Sequence, residues 1–258
     1  LTAAALSAAL LLPGGASASS APSAPSPASA SSAAPTAESR WAPVGRATIT
    51  PGVQMYTAGA QCTGNFVFRD AQGRTYVGYA AHCAGTGEAT DTNGCEAGSL
   101  KTGTPVRFAR GGNLAESGET VGRGTLAYSS WRTMRKVGTS ADKICANNDF
   151  ALVRVRDADV RKVNPSVPFF GGPTRLGSAP AEGTQLYTYG SSSARPTDLL
   201  SPKTGVSLGT TGGGWGFSAY TVSPGIPGDS GSGMLDDRGR AVGTLSTVAI
   251  APVPGSNG

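Results

Sequence analysis

Glycine and proline interrupt this chain so often that long regular elements have little room in it. Its 258 residues include 38 glycines and 18 prolines, over a fifth of the chain, against about 12% in average usage. Both residues are costly inside a helix, so long helices are excluded over most of the length. Hydrophobic residues reach only 38% and charged residues 14%. Much of that deficit sits in one segment: from Pro13 to Pro35 the chain is almost entirely Ala, Ser, Pro and Gly, and its first charge is Glu38. The part beyond residue 40 is long enough for one domain or two tightly packed halves with a real core. It carries all four cysteines, the single histidine and nearly all the charge. A membrane channel, a coiled coil, a helical repeat and a His-rich metal protein are thereby excluded.

Residues 3–12 form a short apolar run, followed by Pro13-Gly14-Gly15 and the small residues Ala16-Ser17-Ala18. A membrane-spanning helix needs roughly 20 apolar residues, whereas a shorter run ending in A-x-A is the pattern of a secretory signal. The competing reading is a buried core helix, but the Ala/Ser/Pro sequence directly behind it offers such a helix nothing to pack against. The expectation is a signal peptide at 1–18, lacking its basic start, then a disordered linker or propeptide at 19–44. A folded domain follows at 45–258, and the protein is secreted to the extracellular space.

Export gives the cysteines a role. Cys62, Cys83, Cys95 and Cys145 are even in number, and an oxidising destination favours disulfides. Three pairings are open. No C-x-x-C occurs and there is one His, so no ligand set has the spacing of a zinc site. The net charge of +5 is modest and its basic residues are scattered, with a slight cluster at Arg132, Arg135 and Lys136. That is a solvated surface rather than the basic stripe of a nucleic-acid binder.

The folded part reads as strands. Asn65-Phe66-Val67-Phe68-Arg69 and Arg74-Thr75-Tyr76-Val77-Gly78-Tyr79 flank a turn at Asp70-Ala71-Gln72-Gly73. Phe150-Ala151-Leu152-Val153-Arg154-Val155-Arg156 and Gln185-Leu186-Tyr187-Thr188-Tyr189 alternate with period two. Met234-Leu235 and Ala241-Val242-Gly243-Thr244-Leu245 bracket a second turn at Asp236-Asp237-Arg238-Gly239. Beyond the signal, no window holds a helical period for three turns; a weak candidate spans 157–163. Many short strands between Gly/Pro turns predict an all-β sandwich or barrel arrangement.

Three places carry candidate chemistry. The single histidine, His82, ends a predicted strand next to Cys83. Gly228-Asp229-Ser230-Gly231-Ser232-Gly233 can make a tight turn that points backbone N–H groups into one small space while presenting a serine, which is what an oxyanion hole requires. Asp149 stands at the mouth of the apolar strand that starts at Phe150. A serine hydroxyl needs a base, and an imidazole base needs a carboxylate to hold its tautomer. Each feature also has an ordinary reading: an unremarkable histidine, a Gly/Ser loop such as Gly212-Gly213-Gly214, and a turn residue before a strand.

Ala80-Ala81-His82-Cys83, Asp149-Phe150-Ala151-Leu152 and Gly228-Asp229-Ser230-Gly231, in that order, resemble the chymotrypsin/trypsin-like serine protease family, in its secreted bacterial branch. The resemblance covers roughly residue 45 to the end. It implies an all-β fold of two antiparallel six-stranded barrels, here truncated at the carboxy terminus, with the site at their interface. It implies His82 as general base and acid, Asp149 as its orienting partner and Ser230 as nucleophile, with the N–H groups of Gly228 and Ser230 as oxyanion hole. It further implies pairing of Cys62 with Cys83, leaving Cys95 for Cys145. Leu245-Ser246-Thr247 resembles the strand that runs beside the substrate, with Ser246 near the Asp149 carboxylate.

The chain departs from the family in places. Gly231-Ser232-Gly233 replaces the usual Gly-Gly-Pro. Pro224 stands six residues before the nucleophile, where trypsin has an acidic residue, so a preference for Lys or Arg does not follow. Val248 replaces a pocket-lining glycine, which narrows the pocket. The family's implied burial of Asp229 demands a cation, and an internal Arg or other donor is expected to supply it.

The implied function is a secreted, monomeric serine endopeptidase that acts on peptide or protein substrates through an acyl-enzyme. It uses no metal or other cofactor, no nucleic acid, and no membrane after signal cleavage. The alternative is a catalytically silent secreted binding protein on the same fold, favoured by Pro224 and Val248. An esterase or lipase is distant: G-x-S-x-G and the order Ser, Asp, His are both lacking.

Overall fold

The computed structural model describes residues 41–88, 91, 93–195, 197–249 and 256–257. The expected signal peptide and all but the last four residues of the expected linker lie outside them. Two largely antiparallel sheets make up the described chain. The first comprises β1 (Gln54–Thr57), β2 (Ala60–Thr63), β3 (Val67–Arg69), β4 (Thr75–Tyr79), β5 (Pro105–Arg110), β6 (Glu119–Ser129) and β7 (Ala151–Val155), in the order β2-β1-β5-β6-β7-β4-β3. The second comprises β8 (Arg175–Leu176), β9 (Gln185–Tyr189), β10 (Pro202–Thr211), β11 (Gly216–Thr221), β12 (Gly233–Asp236), β13 (Arg240–Thr244), β14 (Val248–Ala249) and β15 (Ser256–Asn257), in the order β14-β15-β11-β10-β9-β12-β13-β8. Every pairing is antiparallel except β8 with β13.

The all-β, two-sheet reading holds, with seven and eight strands where six each were expected. The extra strands in the second sheet are two-residue pieces at its margins, too short to leave a pattern in the sequence. The alternation read at 150–156 is the burial pattern of β7: Ala151, Val153 and Val155 are buried, while Leu152 and Arg154 are not. Those three side chains join Met55, Val77, Tyr79, Phe108 and Leu126 in the core of the first sheet.

Two elements escaped the sequence. α1 (Ser130–Val137) buries Trp131 and Met134 and ends on Gly138 at φ +67°, a left-handed cap that favours glycine. α2 (Asp142–Asn147) buries Cys145. Each spans about two turns or fewer, below the length at which a helical period can be recognised. The weak helical candidate at 157–163 is a 3₁₀ turn, Asp157–Lys162.

The fold also begins earlier than the expected residue 45. The Ala42 N–H donates to the Val163 carbonyl at 2.8 Å, and Asn164 Nδ2 donates to the Ala42 carbonyl at 2.7 Å. Trp41 lies against the first core and under the Arg69 guanidinium.

The disulfides are Cys62–Cys83 and Cys95–Cys145, the pairing implied by the resemblance. The first ties the turn after β4 to β2. The second ties α2 to the loop at residues 93–98.

Candidate active site

Strand register brings His82 and Asp149 together. β4 and β7 pair with Tyr79 opposite Ala151, so the residues just after Tyr79 and just before Ala151 emerge at the same end of the sheet. His82 occupies the 3₁₀ turn Ala81–Ala84; Asp149 follows α2 and precedes β7. His82 Nδ1 and Asp149 Oδ2 are 2.6 Å apart, and the His82 backbone N–H donates to Asp149 Oδ1 at 2.8 Å. Ser246 Oγ donates to the same Oδ2. An ionised carboxylate only accepts hydrogen bonds, so this contact places the ring proton on Nδ1 and leaves the neutral ring's Nε2 as an acceptor.

Burial of Asp149 works to raise its pKa. The hydrogen bond and charge of His82 and the Ser246 hydroxyl outweigh it, holding the carboxyl below its ordinary value.

The serine turn is fastened from both sides. Thr63 N–H donates to the Ser230 carbonyl at 2.8 Å and Gly231 N–H to the Leu245 carbonyl at 2.7 Å, while Thr63 Oγ1 donates to the Gly228 carbonyl at 2.7 Å. Gly228 and Gly231 have φ of +96° and +89°. A Cβ on Gly228 would stand 2.2 Å from Gln61 Oε1, and one on Gly231 2.5 Å from the Thr63 carbonyl. Both positions therefore require glycine. Among the described residues, the Gly228 and Ser230 N–H groups donate to no protein acceptor.

Ser230, His82, Ser246 and Thr247 line one cleft of about 600 Å³, with Ile226, Pro227 and the Cys62–Cys83 disulfide on its walls. No hydrogen bond closes between Ser230 Oγ and His82 among the described residues; such contacts commonly tighten only when substrate binds. Of the residues expected to contact substrate, Ser246 and Thr247 are in the cleft, while Pro224 is exposed and outside its lining. Val248 starts β14, two residues past Ser246.

The cation expected beside Asp229 is two cations. Asp229 is fully buried, paired with Arg195 Nη2 and with Lys203 Nζ at 3.1 Å. The N–H groups of Ser192 and Ile226 also reach its carboxylate, at 3.2 and 3.1 Å. Arg195 and Lys203 are themselves buried. Burial pushes the Lys203 ammonium below its ordinary value, more than the Asp229 charge restores. Nothing in the sequence around either residue distinguishes it from a solvated cation; what marks them is the demand of Asp229.

The described chain is built of two largely antiparallel sheets, and its motifs at His82, Asp149 and Ser230 resemble those of bacterial chymotrypsin-like serine proteases. No protein-family model matches it, and no curated protein does. Among solved structures it is similar to the Nocardiopsis protease NAPase, at 20% identity over 81% of this chain and 89% of that one, with a TM-score of 0.46. It is likewise similar to Thermobifida fusca protease A, at 20% identity over 82% and 89%, with a TM-score of 0.46. A third is the thermostable serine protease AL20 from an extremophilic microorganism, at 17% identity over 80% and 89%, with a TM-score of 0.48.

Proposed function

We propose that this chain is a secreted serine endopeptidase. The observation that carries the reading is the hydrogen-bonded array His82–Asp149–Ser246, set in the same cleft as a serine on a glycine-framed turn with two uncommitted N–H groups. In this reading Ser230 Oγ attacks the substrate carbonyl carbon while its proton passes to His82 Nε2. Asp149 stabilises the imidazolium that results. The Gly228 and Ser230 N–H groups bind the oxyanion, an interaction typically worth about 10²–10³ in rate per donor. His82 then protonates the leaving amine, and water releases the acyl group by the same steps in reverse.

Among the described lining residues the cleft carries no acidic or basic side chain apart from His82. Uncharged side chains at the cleaved bond therefore suit it better than Lys, Arg or Glu. The two disulfides and the apolar amino-terminal run support export. No step requires a cofactor, and the reading is of a monomer.

The test is cleavage of an internally quenched peptide library by the full chain and by its Ser230→Ala variant. Hydrolysis after uncharged residues, abolished in the variant, is the expected result. A folded protein that cleaves nothing, before and after limited proteolysis, would overturn the reading in favour of the silent binding protein.

A further inference from the structure

The first sheet gathers arginines that are scattered in the sequence. Arg107 on β5 lies directly opposite Arg123 on β6. Arg156, just past β7, continues the row: its N–H donates to the Arg123 carbonyl at 3.0 Å. On the other flank Tyr56 of β1 lies opposite Arg107. These residues, with Arg154, wall a cleft of about 510 Å³ in which Asp157 is the one acidic lining residue.

Like charges directly opposite each other in an antiparallel pair destabilise a sheet, so folding alone gives no reason for this row. Its compensation is partial. Arg154 reaches Asp157 at 3.2 Å, and Arg156 reaches Asp159 at 3.1 Å, but Asp159 is also held by Lys162 at 2.8 Å. Arg107 is satisfied by neutral acceptors, the carbonyls of Ser117 and Gly118 and the Thr120 hydroxyl. Arg123 is exposed, and its guanidinium has no protein partner among the described residues.

We propose that this cleft is a second binding site, which takes an acidic stretch of a polypeptide substrate. Guanidinium forks match carboxylates in paired geometry. Neighbouring strands set the arginine backbones about 4.8 Å apart while alternate side chains of an extended peptide are spaced roughly 7 Å, so carboxylates on one face of such a peptide reach the row through the long, flexible guanidinium arms. A nucleic acid fits less well, because base stacking needs an open aromatic face and the Tyr56 ring is covered by the Arg107 guanidinium at 4.2 Å.

The two clefts adjoin one hairpin. Ala58 and Gly59, at its turn, line the basic cleft, and Ala60 to Cys62 line the cleft of Ser230. One polypeptide can therefore occupy both. That last step rests on the protease reading; the anion site itself does not.

The experiment measures binding without hydrolysis, by fluorescence anisotropy with the full chain carrying Ser230→Ala. The probes are a labelled peptide alternating Glu and Ser, its Gln-for-Glu counterpart, and a single-stranded oligonucleotide of matched charge. The Glu peptide binds, more weakly as salt rises, and the Gln peptide does not. Arg123→Glu weakens binding about tenfold or more, as loss of a charge-assisted contact does, and Arg123→Gln weakens it less. Reversing Arg135 and Lys136 on α1 leaves it unchanged. The melting temperature of Arg123→Gln is kept or raised, because one of three facing cations is gone.

Equal binding by the Arg123 variants, equal binding of the Glu and Gln peptides, or tighter binding of the oligonucleotide would overturn the proposal. A protein that binds the Glu peptide while a fluorophosphonate fails to react with its intact Ser230 loses the protease reading and keeps the anion site. A protein that reacts but does not bind loses the site alone.

Discussion

A buried carboxylate needs a cation beside it, and removing a sole partner from a buried pair costs about 3–5 kcal/mol. Asp229 has two, Arg195 and Lys203, and it immediately precedes Ser230. Either single substitution, Arg195→Met or Lys203→Met, leaves one cation in place. The double variant leaves none, so its loss of stability exceeds the sum of the singles, and turnover falls with it as the serine turn loses its anchor. A double-mutant cycle in urea, with peptide cleavage as the second readout, checks this; strict additivity would contradict it. At this scale the sequence was uneven. His82, Asp149, Ser230 and Ser246 could be singled out because three short motifs, each ambiguous alone, follow one another in a family's order, and the structure brings His82, Asp149 and Ser246 within hydrogen-bond reach. Arg195 and Lys203 were not, since the burial that gives them their role arises only when β10 and the loop before it close over Asp229.

Elements were legible where their residues repeat with period two and illegible where they do not. β3, β4, β7, β9, β12 and β13 all fall on runs that alternate or flank a Gly/Asp turn, whereas α1 and α2 are too short to show a helical period. α2 nevertheless positions Asp149, and Cys95–Cys145 is its covalent tie. That bridge closes a separation of 50 residues, worth about 4 kcal/mol on the loop-entropy model. Replacing both cysteines with Ala is expected to lower stability by about that amount and to raise KM or lower kcat, because Asp149 follows directly from the loosened helix. Urea unfolding beside steady-state kinetics reads both; unchanged kinetics would mean that β7 alone holds Asp149 in place. The contact between the sheets makes a second demand. A Cβ on Gly233 at the start of β12 would stand 2.5 Å from the Phe66 ring, so Gly233→Ala overpacks that junction and costs about 1–3 kcal/mol.

For the molecule as a whole, the depressed carboxylates set the acid limit. Asp149, Asp159 and Asp236 are all held below the ordinary value of 3.8, although burial works to raise each of them. His82, Lys162 and Arg240 with its backbone N–H respectively provide the main opposing contacts. Asp70, whose desolvation is overcome chiefly by Arg74 and Tyr76, is lowered to about 2. Groups depressed on folding give stability that is complete above the unfolded pKa and lost as pH falls through the folded one. The melting temperature should therefore hold from neutrality to about pH 4.5 and fall between about pH 4 and 2, measured by calorimetry. A fall already complete above pH 5 would contradict it. The arginine row shows what only the assembled molecule reveals: Arg107, Arg123, Arg154 and Arg156 are far apart or unremarkable along the chain, and strand register alone puts them in one wall.

The proposed function requires Ser230 to be an activated nucleophile. Its most direct measurement is reaction of the full chain with a fluorophosphonate, read by intact mass and by mapping the modified peptide. The expected result is a single adduct on Ser230, absent in Ser230→Ala and strongly reduced in Asp149→Asn, where the His82 ring loses the partner that fixes its tautomer. A folded protein with both disulfides formed and no adduct, or with equal labelling in Ser230→Ala, would contradict it.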